Sequence, residues 1–483
     1  MKKQKSLKIN FIMNAILTMS SFIFPLITFP YVSRVLLPVG TGKVSFATSL
    51  ISYFSMFAQL GIPTYGIRAC AKVRDNREEL TRTAHELLMI NLVMDVISYL
   101  ALGCALVFIP KLQEDRLLYI VVSSTILLTS IGMEWLYKAL EQYTYITIRS
   151  IVFKFVALIA MFLLVHEQED YIIYGGITIL AASASNIFNL INVHKYIGLK
   201  PVGNYNIKRH LKPVGVFFAM SCASTIYTHM DTVMLGFMTT DEEVGYYNAA
   251  VRIKSILVSI VTSLGTVLLP RASYYVQQGL KEEFRRISEK AIKFVFLIAT
   301  PMMLYFILYA EQGIYFLSGP AYEKSILPMQ IIMPTLLFIG LTNILGIQIL
   351  VPLGKEKTVL YSEIAGAIVN LALNTILIPQ IASAGAAVGT VVAEAVVLVV
   401  QCYALKNQVS EAFRAIHYGQ IGVALVLATA CSYWVVLLEL GNFITLVITA
   451  CLFFAVYGFF LLATKETLVV EIFNQLVRKR KKN

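Results

Sequence analysis

The chain has 483 residues, of which 58% are hydrophobic and only 14% charged, with a mean hydropathy of +0.72 and a formal net charge of +12. Soluble domains carry about 25% charged residues, so this balance excludes an ordinary soluble enzyme or binding module and describes a membrane protein. The six cysteines (Cys70, Cys104, Cys222, Cys402, Cys431 and Cys451) form no CxxC pair and imply neither a disulfide framework nor a metal site.

Fourteen apolar runs follow one another, each near the ~20 residues that cross a ~30 Å hydrocarbon core as helix. Their approximate limits are 10–33, 43–66, 86–109, 117–138, 147–165, 171–193, 213–237, 246–270, 292–317, 327–352, 358–378, 386–405, 416–438 and 442–463. The first is too long for a signal-peptide core and lacks a small-residue cleavage site, so it reads as a retained span. With the amino terminus placed inside, 33 of the 40 Lys and Arg fall in cytoplasmic segments and only Arg34, Lys43, Lys111, Arg116 and Lys324 fall outside. Lys and Arg are retained on the cytoplasmic side, so this asymmetry predicts an even span count with both termini cytoplasmic. The remaining two, Arg252 and Lys254, lie within a span. The basic ends, including KRKK at 479–482, suit anionic lipid headgroups, and the net charge needs no nucleic-acid partner.

An internal repeat runs beneath the spans. Gly42 answers Gly245 and Ala47 answers Ala250 at an offset of 203, while Arg77-Glu-Glu-Leu-Thr-Arg82 answers Lys281-Glu-Glu-Phe-Arg-Arg286 at 204. Six spans separate the copies, so the halves share one orientation about an axis along the membrane normal. This predicts a six-helix lobe over 1–200, a second over 201–412, and an accessory pair of helices with a basic tail over 413–483.

Polar side chains inside a bilayer are costly unless they meet a cavity or a partner. Span 1 carries Asn14, Thr18, Ser21 and Thr28 on one stripe, and span 2 carries Ser45, Thr48, Ser52, Ser55 and Gln59. Span 7 carries Ser221, Ser224, Thr225, Thr228, Asp231 and Thr232, and span 8 carries Asn248, Arg252, Ser255, Ser259 and Thr262. One such stripe alone is equally well explained as packing between helices. Four stripes related by the repeat, some bearing charge, point to a polar cavity between two lobes. Spans 13 and 14 have almost no polar face and are free to sit in lipid. Among ionisable groups, Asp95, Asp231 and Arg252 stand out as deep and Glu394 is a further buried candidate, whereas Glu134 reads as a simple ion pair with Lys138 one turn away. His229 lies on a different face from Asp231 and reads as a packed, neutral histidine.

HExxH, GxSxG and Walker signatures are missing, and the longest outside loops hold only about ten residues, too few for the catalytic loop of a polymerase or ligase. The segments FPLITFPYVSRVLLPVGTGKVSFATSLISYFSMFAQLGIPTYGIR (24–68), DTVMLGFMTTDEEVGYYNAAVRI (231–253) and GAIVNLALNTILIPQIASAGAAVGTVVAE (366–394) closely resemble the polysaccharide-biosynthesis flippase family. These are the O-antigen, capsule and exopolysaccharide translocases of the multidrug, oligosaccharidyl-lipid and polysaccharide exporter superfamily. The resemblance runs in order over essentially the whole chain, and its most specific blocks are DxxxLG…VGYYxAAxRI and NxxLNxxLIP…GAA.

It implies an all-α polytopic membrane protein of about fourteen transmembrane helices, with two six-helix bundles in a V shape and alternating access. The implied cargo is a polyprenyl-diphosphate-linked oligosaccharide carried from the inner to the outer leaflet of the bacterial cytoplasmic membrane, in contact with membrane lipids, a polysaccharide polymerase and chain-length machinery. Arg252 is then the candidate diphosphate anchor, because guanidinium matches phosphate oxygens bidentately. Lys254, Arg34, Asn248, Asn14 and Gln59 are the further substrate-binding candidates. No cofactor is implied. A dianionic headgroup moved down an inside-negative potential gains roughly 4–5 kcal/mol per 100 mV; proton or sodium exchange through Asp231, Asp95 or Glu394 is the alternative drive, implied by relatives in the superfamily. A drug/cation antiporter shares the lobe plan but favours an acidic, aromatic cavity without Arg252 and Lys254. A lipid II flippase is disfavoured because Phe54–Gln59 contain no arginine.

Overall fold

The computed structural model describes residues 7–471 and 474, so the basic cluster at 479–482 lies outside the described residues. The described chain is helical, with no β-strand among the described residues, and it divides into two compact units, 1–245 and 246–483.

The first unit contains α1 (Leu7–Gln59), α2 (Ile62–Lys72), α3 (Arg77–Phe108), α4 (Pro110–Gln113), α5 (Arg116–Gly132), α6 (Glu134–Ala139), α7 (Tyr143–Leu164), α8 (Tyr171–Ile179), α9 (Asn186–Asn192) and α10 (Lys208–Met238). It also holds the first residues of α11 (Asp241–Gln277). Helix α1 is the axis of this unit and packs on α10, α7, α3 and α5. It is long because the stretch between its two apolar runs stays helical up to a kink; there Leu37 takes a left-handed φ of 57° before Pro38, which has no N–H to continue the ladder. Helix α3 starts where the Asn76 side chain accepts the amides of Glu78 and Glu79, with both acids over the positive end of the helix.

The two repeat-related glycines meet here. A Cβ on Gly42 would strike the Asp241 carbonyl, and one on Gly245 would strike the Pro38 carbonyl, so helix backbones cross at a distance only hydrogen side chains permit.

The second unit contains α12 (Lys281–Leu308), α13 (Ala310–Ser318), α14 (Ile326–Ile332), α15 (Thr335–Thr342), α16 (Glu356–Ala404), α17 (Lys406–Arg414), α18 (Tyr418–Tyr433) and α19 (Asn442–Ala463). Its core joins Val295, Tyr305 and Tyr309 of α12 and its end to Phe453 and Tyr457 of α19. The pair α18 and α19 is therefore lipid-facing on one side only. On the other side the Tyr305 hydroxyl donates to the Leu446 carbonyl at 2.8 Å, the Tyr309 hydroxyl to Ser432 at 2.7 Å, and the Tyr457 hydroxyl to the Leu297 carbonyl at 3.1 Å. Helix α16 kinks at Ile381–Ala382, just past Pro379.

Nine helices of the described residues are long and apolar enough to cross a membrane, or ten when the bent pair Pro320–Ile332 and Thr335–Leu350 counts as one span. Large apolar side chains such as Val93, Leu100 and Phe108 on α3 and Phe459 on α19 are exposed, the arrangement expected of a surface solvated by hydrocarbon. The chain is a multi-pass membrane protein.

Candidate functional site

Within the first unit a cavity of about 390 Å³ is walled by α1, α2, α5, α8 and α10. Helix α1 contributes Thr48, Ser52, Ser55 and Gln59, four of the five polar residues that the stripe of span 2 predicts; α10 adds Ser221, Thr225 and His229, and the far wall brings Thr125 and Thr178. Thr48 and Ser52 donate to the carbonyls of Val44 and Thr48 at 2.7 and 2.8 Å, which occupies their protons and leaves oxygen lone pairs for a ligand. The volume lies in the range of ligand sites and the lining suits a polyhydroxylated molecule.

Gln59, 7% exposed, is part of the cavity wall. Its Nε2 donates to Ser130 Oγ at 2.8 Å, and Ser130 Oγ donates to Asp95 Oδ1 at 2.8 Å. The structure thus brings together two of the predicted residues, Gln59 and Asp95, through a serine that the sequence did not single out. Asn91, one turn before Asp95, donates Nδ2 to the Ala58 carbonyl at 3.0 Å and to the Gln59 carbonyl at 3.4 Å. Directly after Gln59 the chain breaks between α1 and α2: Leu60 and Gly61 have φ of 45° and 71°.

The other predicted residues are placed differently. Asp231 is buried on α10 but is not part of the cavity wall; His229, expected to be packed, lines it instead and lies 3.3 Å from Ser49 Oγ through Nδ1. Asn14 is exposed on α1, where its carbonyl accepts the Thr18 hydroxyl, and Arg34 is exposed with its guanidinium donating to the Pro30 carbonyl. Arg252 is exposed and Asn248 and Lys254 are half-buried on the part of α11 that belongs to the second unit, and Glu394 is buried on α16. Glu134 binds Lys138 at 2.8 Å, as its spacing predicts, and also Arg149 at 3.1 Å.

Nearer the start of α3 a second buried carboxylate is treated in the opposite way from Asp95. Glu86 is fully buried and accepts from the Asn206 amide at 2.6 Å and from Arg209 Nε and Nη2 at 3.0 and 2.6 Å, with His210 Nε2 2.7 Å away. This cluster fastens the start of α10 to α3. Among the described residues no three His, Cys, Asp or Glu side chains gather as a metal site.

The family model described as "Polysaccharide biosynthesis protein" matches residues 7–276, and the MatE model matches residues 217–376. The chain is 25% identical over 405 residues to the "Putative O-antigen transporter" of Escherichia coli (strain K12), covering 83% of this chain and 97% of the relative. It is 26% identical over 357 residues to the protein of the same name from Shigella dysenteriae, covering 73% and 88%. The solved structure titled "Lipid II flippase MurJ, inward closed conformation" superimposes with a TM-score of 0.74 at 15% identity, covering 93% of this chain and 98% of that one, which is a likeness of fold.

Proposed function

Because the chain belongs to the polysaccharide biosynthesis protein family, whose model spans more than half of it, we propose that it is a flippase that moves a polyprenyl-diphosphate-linked oligosaccharide from the inner to the outer leaflet of the bacterial cytoplasmic membrane, for surface polysaccharide synthesis. The observation that carries this reading is a hydroxyl- and amide-lined cavity inside a bundle whose outer surface is apolar. Sugar hydroxyls exchange hydrogen bonds with Ser, Thr and Gln, while a prenyl tail needs only the hydrocarbon it already occupies. The name shared by the bacterial relatives agrees with it.

In this reading the kinked helices Ile12–Lys72 and Glu356–Ala404 make two crossings each, the bent pair makes one, and α10 and α11 complete fourteen, with both termini cytoplasmic. The two lobes are residues 1–200 and 201–412, with 413–483 as the accessory pair and tail, and they alternate access to the two leaflets. Arg252 anchors the diphosphate, assisted by Lys254 and Arg34; Asn248, Asn14 and Gln59 meet the sugars. Asp231, Asp95 and Glu394 are the groups that couple the cycle to an ion, and a polysaccharide polymerase with its chain-length machinery receives the product.

The test is reconstitution in liposomes with a fluorescent polyprenyl-diphosphate oligosaccharide under an inside-negative potential. Wild type is expected to translocate it, and Arg252→Ala to lose most of that rate while folding normally. Wild-type protein that leaves such substrates, including the host's own glycan, in the original leaflet but exchanges organic cations for protons overturns the reading in favour of an antiporter.

A further inference from the structure

The cavity of the first unit carries no fixed charge. Among the described residues that line it there is no Asp, Glu, Lys or Arg, and no Phe, Tyr or Trp. His229 is the ionisable residue of the lining, and its Nδ1 lies 3.3 Å from the Ser49 hydroxyl. Asp95, the acid joined to this wall through Ser130 and Gln59, offers an anion no counter-charge.

The hydrogen-bonding capacity of the wall is also lopsided. Thr48, Ser52 and Thr178 each give their proton to a carbonyl of their own helix, at 2.7, 2.8 and 2.7 Å, and so meet a ligand as acceptors. Thr125 shares a proton with Ser183 at 2.7 Å, and Gln59 commits an amide N–H to the fully buried Ser130. A carboxylate or phosphate entering this space would exchange its hydration for neutral hydroxyls whose protons are largely committed, with no cation to balance it, and a buried charge without a partner is strongly disfavoured. An organic cation fares no better, because neither a carboxylate nor an aromatic face receives it. A neutral polyol donates as well as accepts, and its hydroxyl protons match the oxygens that the wall leaves open.

We propose that this cavity holds an uncharged, hydroxyl-rich sugar of the cargo and excludes acidic sugars, so that the anionic parts of the cargo, the diphosphate included, stay outside it. This names the class of sugar for the flippase reading and rests on that reading. Charge selection at the sugar is then set by the polar walls of α1, α5, α8 and α10, separately from the residues that meet the diphosphate.

The test compares two carrier lipids that differ only at C6 of one sugar: polyprenyl-diphosphate glucose, with a neutral hydroxymethyl group, and polyprenyl-diphosphate glucuronic acid, with a carboxylate. Binding of each to the full chain in nanodiscs is measured near neutral pH. Wild type is expected to bind the glucose lipid about tenfold tighter or more, and Ser52→Lys, which places a cation in the wall, is expected to narrow or reverse that preference. A second measurement needs no lipid carrier: the thiol introduced by Ser55→Cys is labelled with a maleimide and followed by peptide-resolved mass spectrometry, with free maltose or free glucuronate as protectant. Maltose is expected to slow the labelling and glucuronate to leave it unchanged. Equal affinity of wild type for the two lipids, or tighter binding of the glucuronic acid lipid, overturns the proposal and leaves the flippase reading in place; this comparison decides even where Ser52→Lys fails to fold. An unchanged preference in folded Ser52→Lys places the selection elsewhere and overturns the proposal as well. Binding of neither lipid, together with protection by maltose alone, overturns the flippase reading and keeps the charge selection of the cavity. Binding of neither lipid without selective protection by maltose overturns both.

Discussion

Glu86 and Asp95 lie nine residues apart on α3, both buried, yet one is surrounded by the Arg209 guanidinium, the His210 ring and the Asn206 amide while the other has a single serine hydroxyl. A buried charge is tolerated when it is paired and hydrogen-bonded. Glu86 meets that condition with residues of the same chain, which makes it a fastener between α3 and the start of α10. Asp95 does not meet it, and the shortfall sits beside the cavity. The difference separates a carboxylate kept for architecture from one with capacity left for something that comes and goes.

The contrast can be broken most severely at the fastener. Glu86→Ala removes the shared partner of Arg209 and His210; with Arg209 half-exposed, the expected loss is about 2–3 kcal/mol of stability, read from chemical or thermal unfolding in detergent. A loss under 1 kcal/mol would mean that the cluster is ornamental. Asp95→Asn is the sharper comparison: it changes a buried carboxyl that has no ion-pair partner among the described residues and is expected to leave stability unchanged or raise it by up to about 1 kcal/mol. A fall as large as that of Glu86→Ala would show that both acids are structural.

A third buried carboxylate refines the rule with the smallest effect. Glu466, 2% exposed just after α19, pairs with Lys293 and accepts the Val469 amide at 2.8 Å and the Thr467 hydroxyl at 3.3 Å. Burial alone would push this carboxyl up, but the hydrogen bond from Lys293, that from Val469 and the Lys293 charge outweigh it and hold the group below the usual carboxylate value. The folded value is the lower one, so its contribution is full above the unfolded value of about 4.3 and is lost as pH falls through and below it. Unfolding followed from pH 6 to pH 3.5 is expected to show a steeper acid loss in wild type than in Glu466→Gln.

Much of the cavity was legible in the sequence, because α1 carries Thr48, Ser52, Ser55 and Gln59 at helical spacing, with Met56 the apolar α1 residue beside them in the lining. The opposite wall was not. Thr125 and Ser130 belong to the run SSTILLTSIG, whose hydroxyls are spread around the helix and select no face, and the partnership of Ser130 with Asp95 and Gln59 joins three helices that no periodicity connects. For α10 the stripe predicted the helix but not which ionisable residue lines this cavity: at 100° per residue His229 and Asp231 lie on different faces, and which of the two meets it depends on a helix rotation that packing against α1 sets. The apolar pair α18 and α19 hid its attachment for a related reason. Ser432, Thr449 and Tyr457 are isolated in their spans, and only Tyr309, Tyr305 and the Leu297 carbonyl, which they respectively meet, show why they are there.

The break between α1 and α2 has a consequence for how freely this chain can vary. At Gly61 the backbone is left-handed, and a Cβ would lie 2.5 Å from the backbone of Phe217, so both the conformation and the space admit glycine alone. Its neighbour Leu60 is also left-handed but only half-buried, and Asn or Gly there would relax it. In a library that randomises both positions under selection for activity, Leu60 would drift and Gly61 would stand still, marking the one joint in the first unit whose chemistry offers no second solution.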